Sequence, residues 1–256
     1  SHIGNITDLE AAFTNSIPYF TEPEFSYQID APSQKVSHQL LKLKTSKILN
    51  SSENIVFQYA TQLNNRKEFD VRRGGRSNLP ALSLLQFTHF LEGNYSKSLA
   101  NEAFIKSGIQ FDYKNNTNSP ETGVLPLIPD FISYSGSVFG FYQKTAGKTF
   151  YEVGGRMDLR QLNVVRISLD LPRRIERFNT TFPNYSLSTG MRINLSENFK
   201  VNFNAGYTLR APAVNELYSF GLHQGVSSIE VGNPDLDSEK SLKLTASMDF
   251  GINKKL

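Results

Sequence analysis

The sequence predicts an all-β fold, an antiparallel up-and-down sheet of about nine strands of the kind that forms a transmembrane β-barrel. Three observations predict it. Apolar and polar residues alternate with period two over much of the chain, short connections alternate with long ones, and residues that favour strands are frequent, with 11 Tyr and 19 Phe among 256 residues. A soluble sheet with one wet face gives the same alternation, so alternation alone leaves both classes open.

The most regular alternation lies in the second half of the chain. In segment 201–209, apolar residues alternate with Asn202, Asn204, Gly206 and Thr208. Two further segments, 185–195 and 242–250, repeat the pattern on either side of it. Alternation is less regular upstream, where further strands are predicted at 41–44, 55–64, 84–96, 105–113, 132–145 and 151–160.

Charged residues keep to one face of the predicted strands. Arg156, Asp158 and Arg160 alternate with Met157 and Leu159, so that the three charges share a face. In a membrane barrel that face is the lumen, since a charge facing lipid at mid-depth costs about 2–4 kcal/mol.

The lengths of the connections favour a membrane barrel over a soluble sandwich. Outer-membrane barrels have short turns at one end and long loops at the other, whereas sandwiches space their turns more evenly. Short connections are predicted at 50–54, 96–101, 145–148 and 196–199, and long ones at 66–83, 115–131, 168–183 and 213–240.

Composition excludes several classes of protein. A formal net charge of +3 is too small to indicate nucleic-acid binding, and the absence of cysteine excludes disulfides and thiol chemistry. No run of about eighteen apolar residues predicts a membrane-spanning helix. The sequence contains no G-x-S-x-G, H-E-x-x-H or P-loop motif, so we expect neither an enzyme nor a bound cofactor or metal.

Two motifs about twenty residues apart carry a family resemblance. The first, R-A-P-A-V-N-E-L-Y, ends at Tyr218, and the second, N-P-D-L-D-S-E-K-S, ends at Ser241. Together they resemble the paired boxes of TonB-dependent outer-membrane receptors. We expect structural roles for the box residues Arg210, Pro212, Asn215, Glu216, Asn233, Pro234 and Glu239. Arg210 is in phase with the polar face, where either Glu216 or Glu239 can pair with it.

The resemblance implies a bacterial outer-membrane receptor that imports a scarce nutrient, such as a ferric siderophore, haem or cobalamin, with energy supplied through TonB. It also implies a barrel of about 22 strands around an N-terminal plug domain, which carries the contact with the TonB complex. About nine strands cannot close that barrel, so residues 35–256 are predicted to form part of it. Residues 1–34 hold five carboxylates and no Lys or Arg, and we expect an acidic extracellular loop. The expected surroundings are outer-membrane lipid and lipopolysaccharide.

Candidate ligand-binding residues lie in two predicted extracellular loops. Tyr218 and His223 belong to the longest loop, and haem receptors of the family place a histidine between the two boxes. Arg72, Arg73 and Arg76 flank Gly74 and Gly75 in another loop, where guanidinium groups suit an anionic chelate or a lipopolysaccharide phosphate. A loop histidine without a ligand and a solvated run of charge are the alternatives.

Two other classes of function stay open at this stage. One is a passive or structural outer-membrane barrel, and the other is a soluble β-rich binding module. The sequence names no ligand and gives no oligomeric state.

Overall fold

The structure of the protein is a computed structural model that describes residues 10–11, 13–16, 27, 32–70, 76–168, 170–223 and 228–251. Eight strands follow one another along the chain: β1 (Ser33–Asn50), β2 (Glu53–Phe69), β3 (Leu82–Leu99), β4 (Ala103–Asn118), β5 (Asp130–Ala146), β6 (Thr149–Ile167), β7 (Ile175–Ser196) and β8 (Phe199–Arg210). A long loop then holds a short helix and a hairpin before the last strand: α1 (Val214–Tyr218), β9 (Phe220–His223), β10 (Ser228–Val231) and β11 (Glu239–Phe250). Within the described ranges, no helix is long and apolar enough to cross a bilayer.

Nine of these strands form one antiparallel sheet. Its order is β1-β2-β3-β4-β5-β6-β7-β8-β11, with β1 and β11 at its two edges, and β9 and β10 form a separate hairpin. The predicted all-β fold with about nine antiparallel strands is therefore confirmed. The sheet is open, as expected for part of a larger barrel.

Short and long connections alternate as predicted, and the clearest difference is the connection before β7. Four turns of two or three residues lie at one end of the sheet, and the connections 70–81, 119–129, 168–174 and 211–238 lie at the other. The predicted loop 168–183 was too long, because β7 begins at Ile175. The sequence suggested a loop because the segment contains Pro172 and Pro183. Pro183 is tolerated because β8 pairs with β7 only from Ser186 onward, so that Pro183 has a neighbouring strand on one side alone.

The two faces of the sheet differ in polarity. The face that carries Arg156, Asp158 and Arg160 is called the inner face here, and the opposite face is the outer face. Apolar side chains of the outer face stand uncovered on strand after strand, among them Val138, Met157, Leu187, Phe203 and Leu244. Such a broad exposed apolar surface is compatible with lipid and not with water.

Charges on the inner face are joined by hydrogen bonds across three strands. The Arg156 guanidinium donates to Asp158 Oδ1 at 2.8 Å, to Gln110 Oε1 at 3.0 Å and to Ser137 Oγ at 2.8 Å. These contacts connect β4, β5 and β6. Because each of these partly buried groups has a partner, the network stabilises the wall.

Outer-face tyrosines mark an apolar band on β5. Tyr134 lies towards the end with the long loops and Tyr142 towards the end with the short turns, and the exposed Val138 lies midway between them on the same face. Aromatic residues flank the lipid-facing band of outer-membrane barrels at both interfaces. Val138 is therefore placed near the middle of the bilayer.

We predict that Val138→Arg destabilises the membrane-inserted protein by about 2–4 kcal/mol, because the guanidinium would face lipid at mid-depth. Ser135→Arg, on the inner face of the same strand, is the matched control and changes stability by less than about 1 kcal/mol. The measurement is reversible unfolding from lipid vesicles. Equal effects of the two variants would contradict the assignment of the faces.

Candidate functional site at the loop-bearing end of the sheet

The loop between β8 and β11 folds back over the inner face and does not extend away from the sheet. Its side chains Val214, Leu217 and Tyr218 are buried against Leu162 and Val164 of β6. Leu162, Val164 and Leu217 are at most 1% exposed. Burying one such apolar side chain contributes about 1.5–3 kcal/mol, so these contacts dock the loop firmly.

A fork of ion pairs fixes the two ends of this loop. Arg210, the last residue of β8, donates to both carboxylate oxygens of Glu216 at 3.0 Å and to Glu239 at the start of β11 at 2.8 Å. The sequence allowed either carboxylate as the partner, and Arg210 contacts both. All three side chains are at least 36% exposed, so water screens the charges and each ion pair contributes at most about 1 kcal/mol. The fork therefore determines the position of the loop ends more than their stability.

Glu216 has a second role at the start of α1. Its Oε2 accepts a hydrogen bond from the backbone N–H of Ala213 at 2.6 Å, which satisfies one of the free donors at the helix start. The hydrogen bonds from Arg210, and then the one from Ala213, lower the pKa of the Glu216 carboxyl from 4.5 to about 2. The carboxylate thus stays ionised at every physiological pH.

The returning part of the loop packs closely on α1. Backbone N–H groups of Gly232 and Asn233 donate to Ser219 O at 2.7 Å and to Glu216 O at 2.8 Å. A Cβ on Gly232 would lie 2.5 Å from the Tyr218 backbone nitrogen, so only glycine fits here. The side chain of Asn233 accepts from Asp235 N at 3.0 Å across Pro234, which forms the turn towards β11.

A second loop, residues 119–129 between β4 and β5, is joined to the first. The backbone N–H of Phe220 donates to Leu127 O at 3.0 Å. At its other end, Glu121 accepts from Lys67 Nζ at 2.7 Å and from Ser83 Oγ at 3.0 Å, and these bonds lower the pKa of the Glu121 carboxyl. Both loops are therefore anchored to the sheet and to each other.

Beneath these loops the inner face forms a recess of about 740 Å³, within the usual size range of small-molecule sites. Its wall comes from β1 to β6, and Ala213, Val214 and Asn215 form part of its roof. Arg160 joins wall and roof, since its Nη1 donates to Pro212 O at 3.0 Å. The charged residues that line it are Arg66, Asp112, Lys114 and Arg160.

The residues predicted to bind ligand are spread around this end of the sheet. Tyr218 is buried in the loop core, with its ring 4.8 Å from that of Phe178, and it does not line the recess. His223 ends β9, where its backbone pairs with Ser228, and its side chain lies outside what the structure describes. Arg76 lies exposed in a turn, and Arg72 and Arg73 lie outside the described residues. Ligand contact by these five residues stays a prediction.

Sequence reasoning missed the residues that line the recess. Lys114 and Asn116 share the inner face of β4, but residues 115–131 were predicted to be loop, and β4 continues to Asn118. The position of Arg160 on the polar face could be predicted, because Arg160 alternates in phase with Arg156 and Asp158. No group of three His, Asp or Glu in the described ranges is close enough to hold a metal ion.

Comparison with known proteins identifies the family. Residues 7–254 match the family described as TonB dependent receptor-like, beta-barrel, so the chain belongs to it. Members of this family are transport receptors of the bacterial outer membrane and are not enzymes. The outer face of the sheet is therefore the lipid-facing surface, and the inner face lines the lumen. The comparison with curated proteins gave no match.

Two solved structures have a similar fold. One is the copper transporter OprC, with 15% sequence identity and a TM-score of 0.63 over 86% of this chain and 38% of that one. The other is the ferric-catecholate import receptor Fiu from E. coli K12 in its closed form, with 11% identity and a TM-score of 0.61 over 87% of this chain and 39% of that one. Identities this low show the fold alone, and the chain spans less than two fifths of either protein.

We predict that the docked loop is insensitive to pH from 7 down to about 4.5 and loosens as pH falls from there towards 2. The folded pKa of Glu216 is depressed, so its contribution is complete above the unfolded value of 4.5 and is lost as the carboxylate takes up a proton near pH 2. Pepsin, which is active in this range, measures loop cleavage in the membrane-inserted protein. Glu216→Gln removes the titrating group, so this variant serves as the control with a weaker dependence on pH. Equal pH dependence in the two proteins would contradict this role of Glu216.

Proposed function

We propose that the chain forms part of the wall and outer loops of a receptor that imports a scarce solute across the outer membrane, with energy delivered through TonB. The docked β8–β11 loop supports this proposal most directly. It covers a recess in the lumen wall, so a solute that enters from outside would meet this loop first. A loop held in this way suits selective uptake better than free diffusion.

The solute is proposed to be a metal chelate, haem or a cobalamin. The family as a whole supports import of a small molecule, and the two similar structures are a copper transporter and a ferric-catecholate import receptor. The volume of the recess, about 740 Å³, suits part or all of such a molecule. The proposed partners are therefore this solute and the TonB complex, the latter through parts of the receptor outside the chain.

A passive or structural barrel is the second candidate. It has the same wall and the same lipid-facing surface, and it differs in needing no energy. Dependence of uptake on the proton gradient of the inner membrane separates the two. A soluble β-rich module is disfavoured because the outer face exposes apolar side chains along most of its strands.

We predict that Gly232→Ala lowers energised uptake, because the new methyl group would push the returning loop off α1. Gly136→Ala is the matched control, since its methyl group meets no atom within 4 Å. Uptake is measured in intact cells with radiolabelled ferric tricatecholate, ferric trihydroxamate, haem and cobalamin, with and without a protonophore. We expect at least a severalfold loss for Gly232→Ala at equal receptor abundance, and none for the control.

Three results would count against this proposal. Accumulation that is unchanged by the protonophore would favour the passive barrel. Equal uptake by Gly232→Ala and the parent protein would remove the role of the docked loop. Uptake of none of the four solutes, in cells with the receptor correctly inserted, would exclude the proposed solute class.

A further inference from the structure

The outer face of β6, β7, β8 and β11 carries only two charged side chains in these described strands, and both are positive. We propose that these two residues, Arg177 and Lys240, belong to a surface that binds the phosphorylated sugars of lipopolysaccharide on the outside of the barrel. The inference goes beyond solute import, and it rests only on the location of the protein in the outer membrane.

The height of Arg177 above the lipid tails is the first step. On the outer face of β7, the side chains are mainly apolar from Tyr185 towards the short turns, and the ring of Tyr185 stacks on that of Tyr207 at 5.8 Å. Such tyrosines mark the interface between lipid tails and headgroups. Arg177 lies eight residues beyond Tyr185 in the direction of the long loops, which is about 27 Å along the strand. A tilted strand therefore still places Arg177 within the sugar layer.

Lys240 lies closer to the bilayer. It pairs with Leu209 of β8, which is near the level of Tyr185 in the sheet. The outer-face residues that follow Lys240 on β11 are exposed and apolar, among them Leu242, Leu244 and Met248. The ammonium group thus stands where lipid tails end and phosphate-bearing sugars begin. The two cations contact one anionic layer at two different heights.

Neither cation is neutralised by the carboxylate beside it in the sequence. Glu176 faces the other side of the sheet and pairs with Arg166 at 2.8 Å, and Glu239 pairs with Arg210 at 2.8 Å. Neither Arg177 nor Lys240 has a hydrogen bond or an ion pair with any described residue. On a face that meets lipid, a charge is tolerated only near the headgroups, so the position of these cations identifies their surroundings.

The outer face next to Arg177 offers amide and hydroxyl groups and no free carboxylate. Two polar cross-strand pairs lie between the tyrosine level and Arg177, and they are Gln161–Thr181 and Asn163–Asn179. On the adjacent β5, the Asp130 carboxylate already accepts from the backbone and side-chain nitrogens of Asn118, both at 2.8 Å. Amides and hydroxyls suit sugar hydroxyls, while guanidinium suits phosphate and acidic sugars. The core of lipopolysaccharide combines these groups.

An unpaired strand edge is a second and independent feature of this surface. Because β8 pairs with β7 only from Ser186 onward, β7 has a neighbouring strand on one side alone from Ile175 to Tyr185. Backbone groups on the open side have no backbone partner among the described residues. Pro183 lacks an N–H group, which hinders the addition of another strand. Sugar hydroxyls both donate and accept, so they can satisfy such groups one by one.

Binding of lipids to the receptor in its full natural length, purified in detergent, tests the inference. The probes are lipopolysaccharide with a phosphorylated core, lipid A alone and phosphatidylglycerol, and native mass spectrometry counts the bound molecules. We expect Arg177→Gln to weaken binding of the first probe about fivefold, the usual effect of removing one cation near an anionic lipid surface. Binding of lipid A should not change, because lipid A does not reach the level of Arg177.

Three further variants sharpen this test. Lys240→Gln should weaken binding of lipid A and of complete lipopolysaccharide alike, since Lys240 lies at the level of the lipid A phosphates. Arg177→Lys keeps the charge and should retain most of the affinity. Lys144→Gln is the matched control, because Lys144 lies on the outer face of β5 at the end with the short turns. It should bind lipopolysaccharide as the parent protein does.

Three results would overturn the inference. Unchanged affinity of Arg177→Gln for lipopolysaccharide with a phosphorylated core would place the contact elsewhere. An equal loss of affinity in Lys144→Gln would show a response to total charge only. Phosphatidylglycerol that binds as tightly as lipopolysaccharide, and is weakened equally by Arg177→Gln, would show contact with any anionic lipid and no recognition of sugars. Since Arg177 and Lys240 are exposed, their variants should melt at the temperature of the parent protein when no lipid is added.

Discussion

Docking of the β8–β11 loop onto the inner face is the constraint on which the rest of this end of the molecule depends. Val214, Leu217 and Tyr218 are buried, and each contributes about 1.5–3 kcal/mol. The exposed ion pairs of Arg210 contribute at most about 1 kcal/mol each. Apolar burial therefore holds the loop down, and the Arg210 fork determines where its two ends lie. Without the docked helix the recess would lose part of its roof.

The sheet beneath the loop contacts lipid on its outer face and the lumen on its inner face. Apolar and polar residues alternate along each strand, and because successive side chains point to opposite faces, this alternation separates the two surfaces. The outer face keeps apolar groups uncovered for lipid, while the inner face collects charges that partners neutralise, as Arg156 shows with Asp158, Gln110 and Ser137. Lysines of the same face, among them Lys42, Lys44, Lys106 and Lys114, have no such partner among the described residues.

The sequence was sufficient for features that depend on neighbours along the chain. Alternation at 201–209 predicted β8, and the spacing of six positions from Arg210 to Glu216 made their contact foreseeable. The start of β7 was misjudged because Pro183 normally ends a strand, and the sequence does not reveal that β8 leaves this part of β7 unpaired. The recess was not foreseeable either. Its lining is brought together by the register of six strands, and register over such distances is a property of the whole sheet.

The two loops are anchored by contacts of different strength. The hairpin of β9 and β10 is joined to the 119–129 loop by the bond from Phe220 N to Leu127 O, and one such hydrogen bond contributes about 0.5–1.5 kcal/mol. Helix α1 is held by several buried side chains, whose release costs several times more. The returning end of the hairpin is also tied to α1, since Gly232 N donates to Ser219 O at 2.7 Å. Burial of α1 contributes more than these backbone bonds, so the helix is the anchor that positions both the hairpin and the 119–129 loop.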